Sequence, residues 1–518
     1  MEVELKLLVP PDDLLRIDRH PAVRAARRGG GRKLALETVY YDTPEADLAH
    51  AGVALRLRRD GDRWVQTLKG GGTAAAGLHA RDEIEWDLTG QTLNVGLLDD
   101  TRYAELFAKR KVRGRLQPVF TTEFERTLRT LALPDGTLAE LALDRGVIRA
   151  GHETAPISEA EIELKGGDAA RLFGLARAIA RDVPVRLGHA SKAERGYALG
   201  RGAPPPRKAR PVPLEATMTA GDALRRIAMA CIAQMQSNED GVRGGRDPEY
   251  LHQLRVGLRR LRSSLGLVAL ASSKEAVAPL AGELRWLGGA LGPARDWDVF
   301  MTETFARLAR QFRQAPGVAS FRARAARVRR AHAATARDAV SSQRYTDLLL
   351  ALGEAFARDD LPVFAGSAAP AATQLGSEPP PRFGSPVGAF AAFVMDRRHR
   401  RVRKRGRQVP EAPPEERHRV RIAAKKLRYA AEFFAPLYPA KRVARYVAAL
   451  QDLQDILGAL NDAAVVDRLL AELAGTGRPI AAGVDGLVRG WVAAVAQQEL
   501  ARYRRAWREF ENAKPFWK

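Results

Sequence analysis

An α+β chain in two parts is what the sequence predicts: a strand-rich N-terminal domain whose antiparallel strands close around a charged interior, then an all-α domain of two duplicated helical bundles. Three observations predict it. Before about residue 200, apolar residues alternate with period two and nearly every strand has one charged face. Beyond residue 213, strand signals stop and Ala, Leu and Arg recur at helical spacing. Within that helical part, one pattern of His, Arg and Lys returns after 166 residues.

Charge divides the chain in the same way. Residues 1–200 carry 31 Lys or Arg against 30 Asp or Glu, so almost all of the net charge of +23 lies in 201–518. A polycationic half points to a polyanionic partner: nucleic acid, polyphosphate or an anionic membrane surface. At 518 residues the chain exceeds a single core, and 46% hydrophobic residues suffice for two or three. The single Cys231 excludes an internal disulfide and fits a reducing compartment, where it reads as a small buried hydrophobe. Acidic residues stand where a signal peptide needs positive charge, and no apolar run approaches the ~18 residues of a membrane span. The expectation is a soluble, cytoplasmic protein without membrane insertion. No feature of the sequence bears on its oligomeric state.

Proline marks the boundaries. Residues 203–213 contain five prolines, which neither a helix nor a central strand accepts, and this linker separates a first domain (1–202) from a helical one (214–512). A second break near 362–386, rich in Ala, Ser, Gly and Pro, divides the helical domain into halves at 214–361 and 386–512.

The first strand opens the chain with Glu2-Val3-Glu4-Leu5-Lys6, and Glu161-Ile162-Glu163-Leu164-Lys165 repeats its E-x-E-x-K spelling. On a strand, Glu2, Glu4 and Lys6 share one face and Val3, Leu5 and Leu7 the other. Such a charged row is costly to bury unless metal ions and a charged ligand compensate it. The two rows are expected at opposite ends of one antiparallel sheet, meeting in its interior. Between them, strands are predicted over Thr38–Tyr41, Ala54–Arg59, Trp64–Lys69, Arg81–Leu88, Phe120–Thr130, Leu138–Ile148 and Ser158–Lys165, with helices near Asp99–Lys111 and Ala169–Arg181. Charged faces recur: Arg56 with Arg58, Thr67 with Lys69, Arg81 with Glu83 and Glu85, Thr122 and Phe124 with Arg126, Glu140 and Ala142 with Asp144. A sheet carrying both signs can close into a barrel, with carboxylates collecting Mg²⁺ or Mn²⁺ and basic groups collecting phosphate oxygens.

Over residues 1–200 these motifs, with the Tyr41-Asp42-Thr43 and Leu143-Asp144-Arg145-Gly146 turns and the terminal Ser191-Lys192, resemble the CYTH superfamily of triphosphate tunnel enzymes. The resemblance implies an eight-stranded antiparallel tunnel that binds triphosphate with a divalent metal. It implies Glu2, Glu4, Asp144, Glu161 and Glu163 as metal ligands, and Lys6, Arg56, Arg58, Lys69, Arg81, Arg126, Lys165 and Lys192 as phosphate-holding groups. One departure is that Glu2 follows Met1 directly, without the His-Phe lead of the cyclase branch.

In the helical domain, His252-x-x-Arg255-x-x-x-Arg259-Arg260-x-Arg262 is matched by His418-x-x-Arg421-x-x-x-Lys425-Lys426-x-Arg428, and Leu291-Gly292 with Arg295-Asp296 by Leu457-Gly458 with Asn461-Asp462. On a helix the residues i, i+3, i+7 and i+10 fall within about an 80° arc, so His252, Arg255, Arg259 and Arg262 form one cationic stripe. His418, Arg421, Lys425 and Arg428 form its counterpart. Like charges so placed repel, and an anion should offset them. The region 214–512 resembles the CHAD family, which implies two helical halves facing across a basic groove for inorganic polyphosphate, with all ten residues from His252 to Arg262 and from His418 to Arg428 in the two motifs as contacts. A run of eight basic residues in twelve, Asp396 to Arg407, could extend the groove. Nucleic acid is disfavoured, because the basic segments lack interleaved aromatics and no recognition motif is present.

The expected function is a Mg²⁺- or Mn²⁺-dependent triphosphatase that hydrolyses inorganic tripolyphosphate, with a helical module that binds inorganic polyphosphate and associates with polyphosphate granules. Two alternatives stand beside it: a non-catalytic polyphosphate-binding protein, and a triphosphatase for organic triphosphates such as thiamine triphosphate.

Overall fold

The computed structural model describes residues 2–199, 201, 204–245, 247–358, 361, 364, 381–409, 411–476 and 480–518. The chain divides into two compact units, one formed by residues up to 206 with 342–358, the other by the described residues of 207–341 and 359–518. The segment 204–213 is irregular, and most of the Pro-rich break at 362–386 lies outside the described residues.

The first unit is built on nine strands: β1 (Glu2–Leu8), β2 (Arg27–Asp42), β3 (Val53–Asp60), β4 (Arg63–Ala75), β5 (Leu78–Leu88), β6 (Gln117–Ala132), β7 (Leu138–Ala150), β8 (Glu153–Gly166) and the short β9 (Arg186–Leu187). Their order is β5-β4-β3-β2-β6-β7-β8-β1-β9, all antiparallel. An added β1–β5 pairing closes β1 to β8 into an eight-stranded barrel. Alternation makes this barrel polar within and apolar without. On β3, Val53, Leu55 and Leu57 are buried on the outer face, where Val53 and Leu55 pack with Leu48, Leu98 and Phe107, while Arg56 and Arg58 turn inward. Helix α1 (Ala170–Asp182) and helix α7 (Gln343–Ala357) pack together in this unit through Arg177 and Glu354 at 2.6 Å, and Gln343 donates to the Ala180 carbonyl at 2.9 Å. Gly353 allows the close approach: a Cβ there would meet Phe173 at 2.1 Å.

Several elements differ from the sequence reading. Strand β2 begins at Arg27, not Thr38, because a Gly29–Gly31 run of poor strand propensity hides its first half; the ladder to β6 is irregular between Arg28 and Arg32. The helix expected over Asp99–Lys111 is two single turns, Ala104–Phe107 and Arg110–Arg113, preceded by a 3₁₀ turn at Val95–Leu98. Short helices at Leu14–Arg19 and Pro21–Ala26 were not anticipated. The E-x-E-x-K rows are immediate neighbours, with Lys6 opposite Glu161 and Glu4 opposite Glu163 across the β1–β8 ladder.

The second unit is helical and keeps the 166-residue register. Its long helices are α3 (Ala220–Gln236), α4 (Pro248–Ala271), α5 (Lys274–Val299), α6 (Val318–Ser341), α8 (Val387–Gly406), α9 (Pro414–Phe434), α10 (Ala440–Ala474) and α11 (Ala482–Asn512). Pro248 and Pro414 open equivalent helices, as do Lys274 and Ala440, each pair 166 positions apart. The halves share a core in which Trp297, Phe300, Phe305 and Phe321 pack against Leu469, Leu470, Leu473 and Val488. Cys231 is buried among α3 residues, and burial pushes its thiol up to about 12, as expected of an inert hydrophobe. No helix among the described residues is long and apolar enough to cross a membrane.

Candidate active site and anion cleft

The inward faces of the barrel strands enclose a cavity of about 260 Å³, lined by eight Lys or Arg and seven Glu side chains. Twelve of the thirteen residues singled out in the barrel line it. They are Glu2, Glu4, Lys6, Arg56, Arg58, Lys69, Arg81, Arg126, Glu161, Glu163, Lys165 and Lys192. The thirteenth, Asp144, is fully buried behind Arg126 and Lys192. Helix α2 (Lys192–Ala198) brings Lys192 in, fixed by a capping box in which Ser191 and Glu194 bond each other's backbone.

The charges interleave in two zones. In the first, Lys6 Nζ lies 2.6 Å from Glu161, 3.3 Å from Glu159 and 3.7 Å from Glu4. Lys192 reaches Asp144 at 2.7 Å and Glu161 at 3.0 Å, and also contacts Glu159. Arg126 bonds both Asp144 and Glu161 at 2.6 Å. Burial opposes the charged forms here, but the pairs win: Lys6 is held well above the usual lysine range by Glu159 and Glu161, and Glu161 well below the carboxylate range by Lys192 and Lys6.

The second zone is unbalanced. Burial, then Glu161, raises the Glu4 carboxyl against the pull of Lys6 and Lys69. Burial also raises Glu163, with Glu2 and Glu140 adding to it although Lys165 lies 2.6 Å away. Arg58 makes no ion pair among the described residues; its Nε donates to Thr38 Oγ1 at 3.4 Å, and burial with Arg56 and Arg126 pushes it down to about 10. The barrel thus holds carboxylates short of cations and an arginine short of anions.

Three carboxylates, Asp144, Glu159 and Glu161, offer oxygens within 4.8 Å of one another and could hold a metal ion. Hard oxygen donors of this kind suit Mg²⁺ or Mn²⁺. Those oxygens are, however, already bonded by Lys6, Lys192, Arg126 and Arg195. The electrostatic deficit lies instead at Glu4 and Glu163, with Glu2 and Glu140 beside them, and physical compensation favours a cation there.

Glu159, His79 and Tyr40 belong to this region and were not singled out from the sequence. Glu159 sits two residues before the repeated motif, so strand parity alone could have found it. Tyr40 stacks on Phe120 at 4.4 Å, and its hydroxyl lies beside Arg56. His79 carried no motif.

In the helical unit a cleft of about 210 Å³ is lined by His252, Arg255 and Arg259 of α4, Arg295 and Asp296 of α5, Arg421 of α9, and Asn461 and Asp462 of α10. Both repeats contribute, as the 166-residue register implies. Burial, then Arg259, pushes Arg255 down to about 10; burial, then Arg295, pushes His252 down to about 4. Lys425, beside Arg421 and Arg259, is pushed down to about 7, burial again leading. His418 is exposed, with Nδ1 2.7 Å from Asn461 Oδ1. Neither His418 nor Lys425 lines the cleft itself, and the remaining motif residues do not line it either. Arg260 is buried with its guanidinium 5.2 Å over the Phe433 ring, because one helical step from Arg259 turns it about 100° toward the core. Arg428 bonds Gln451 and pairs with Glu432 at 3.3 Å. Arg262 and Lys426 are exposed, Lys426 lying near Arg398 and Arg401 of the basic run on α8.

The structure thus joins a closed barrel with interleaved carboxylates and cations to a duplicated helical module with a cationic cleft. The chain belongs to the proteins that carry a CYTH domain, matched over residues 1–197, followed by a CHAD domain, matched over 226–471. An inorganic triphosphatase of Haemophilus influenzae is 33% identical over 201 residues, covering 38% of this chain and 55% of that protein; the chain thus spans about half the length of this curated relative. The crystal structure of the CHAD domain from the plant Ricinus communis aligns at 33% identity, covering 60% of this chain and 98% of that one, with a TM-score of 0.51. A structure from Streptomyces chartreusis, PptA, aligns at 18% identity over 57% of this chain and 99% of that one, with a TM-score of 0.36.

Proposed function

We propose that the barrel hydrolyses inorganic tripolyphosphate with a divalent metal, Mg²⁺ or Mn²⁺, and that the helical unit holds inorganic polyphosphate. The observation that carries the reading is the interleaving of eight cations with seven glutamates in one closed lumen. Phosphoryl transfer asks mainly for positioning and charge stabilisation, so no nucleophilic side chain is needed. Glu2, Glu4 and Glu163 would hold the metal, which supplies charge neutralisation of the phosphate oxygens. Arg58 and Arg56 receive the anionic chain, Lys6, Arg126 and Lys192 hold the carboxylates in place, and Lys69 fixes Glu2 from 2.6 Å. Water oxygen bonds to the terminal phosphorus as the bridging P–O bond breaks. One water proton stays on the new phosphate and the other passes to the departing diphosphate.

Inorganic substrate is favoured over thiamine or nucleoside triphosphates because Tyr40, itself stacked on Phe120, is the aromatic phenol lining the lumen, and no ring clamp stands among the described residues. In the helical unit, the shared downward shifts of Arg255, Arg421 and Lys425 support a polyanion in the cleft. Association with cytoplasmic polyphosphate granules follows from this reading. Phosphate release from tripolyphosphate with Mg²⁺ on the full chain tests the catalytic part; full activity in Glu2→Ala/Glu4→Ala would sink it. Competition tests the rest, since bound DNA that long-chain polyphosphate cannot displace at moderate salt overturns the polyphosphate assignment.

A further inference from the structure

His79 stands on β5 with the same inward parity as Arg81, Glu83 and Glu85, and it lines the barrel cavity. It is 2% exposed. Its Nε2 lies 2.9 Å from the Gly188 carbonyl oxygen. A carbonyl only accepts, so Nε2 carries the proton and Nδ1 of the neutral ring carries a lone pair. That Nδ1 is buried and has no hydrogen-bond partner among the described residues. A buried acceptor without a donor is unfavourable, and such atoms mark places where a ligand or water completes the bonding. Burial, with Lys6 and Arg81 nearby, holds the imidazole down to about 3, which keeps the ring neutral.

The surroundings narrow what that donor is. Glu4 is the Cα partner of His79 across the β1–β5 ladder, so the imidazole and the carboxylate are lateral neighbours on the lumen face. Lys6 and Arg81 are committed to Glu161 and Glu194. A triphosphate presents acceptors and cannot satisfy a lone pair. Water can.

We infer that His79 Nδ1 accepts a hydrogen bond from the water that attacks the terminal phosphorus, and so aims its oxygen. This rests on the triphosphatase reading. His79 takes no proton in the step; both water protons end on the two products.

The test uses the full chain. His79→Gln keeps an amide that can donate to the Gly188 carbonyl but offers no acceptor at the Nδ1 position, whereas His79→Asn can place its amide oxygen there. The expected result is a melting temperature and tripolyphosphate KM near wild type for His79→Gln, a kcat roughly tenfold to a hundredfold lower, and partial recovery of kcat in His79→Asn. A second readout is independent of turnover. With ¹⁵N-labelled histidine, the His79 Nδ1 resonance is unprotonated in the metal-free chain and moves when Mg²⁺ and a methylene-bridged triphosphate are added. An active wild type with an unimpaired His79→Gln variant, or a protonated Nδ1, overturns the inference alone. A wild type that releases no phosphate overturns the triphosphatase reading and this inference with it.

Discussion

Glu4 and Glu163 are direct partners across the β1–β8 ladder, and both carboxyls hold their protons more tightly than a free glutamate. Opposed like charges on neighbouring strands are destabilising, so this part of the barrel is poised for a cation. Because the folded-state pKa of Glu4 is raised, its ionised form at neutral pH costs stability, and the cost is relieved as pH falls through that pKa. Glu4→Gln, permanently neutral, should therefore be the more stable metal-free protein at pH 7. Its advantage should shrink as the pH is lowered from 7 toward the ordinary glutamate value, and thermal melts in chelator across that range check this. With Mg²⁺ the order should reverse, the wild type gaining and Glu4→Gln not.

Arg58 is held down to about 10, and no carboxylate among the described residues forms an ion pair with it. Removing it should cost the fold little while weakening the phosphate site. Arg58→Met is expected to melt at or above the wild-type temperature and to lose about tenfold to a hundredfold in kcat/KM for tripolyphosphate, the worth of one charge-assisted hydrogen bond. A large loss of both stability and activity would show Arg58 to be structural.

Lys425 is pushed down to about 7, so an anion in the cleft that restores its charge must draw a proton when it binds above that pH. Polyphosphate affinity should be nearly flat below pH 7 and fall from pH 7 to 9. Titration calorimetry in buffers of different ionisation enthalpy should show net proton uptake at pH 8. Lys425→Arg should flatten the profile.

Arg259 and Arg260 are adjacent in sequence and opposite in role. Arg259→Ala should weaken polyphosphate binding and lower its salt dependence, because Arg259 lines the cleft. Arg260→Met, removing a guanidinium stacked on Phe433, should leave affinity within twofold and act on melting temperature instead. Equal losses of affinity would contradict the geometry.

Legibility in the sequence followed the physics of each element. Strand β3 was readable because Val53-Ala54-Leu55-Arg56-Leu57-Arg58 alternates without a break, and that alternation also pointed Arg56 and Arg58 inward. The start of β2 was not, since glycines at 29–31 carry no face. Glu159 lay inside the strand read over 158–165 but was hidden behind the E-x-E-x-K motif that begins two residues later. His79 gave no signal, because its significance lies in a bond to Gly188, 109 residues away. In the helices, the 166-residue repeat located both halves of the cleft, but a basic run cannot say which members face it; Arg260 is turned away by a single step of the helix.

Helix α7 follows α6 in the chain, yet it completes the barrel unit by packing on α1 around Gly353 and Phe173. The barrel unit is therefore discontinuous in sequence. During synthesis the ribosome must make all of α3 to α6 before the last piece of the barrel's outer layer emerges, so the N-terminal unit cannot reach its final form first. A chain cut at the proline-rich linker would leave the α7-binding surface of α1 uncovered, and genetic dissection of the two activities is better made by substitution in the full chain than by truncation.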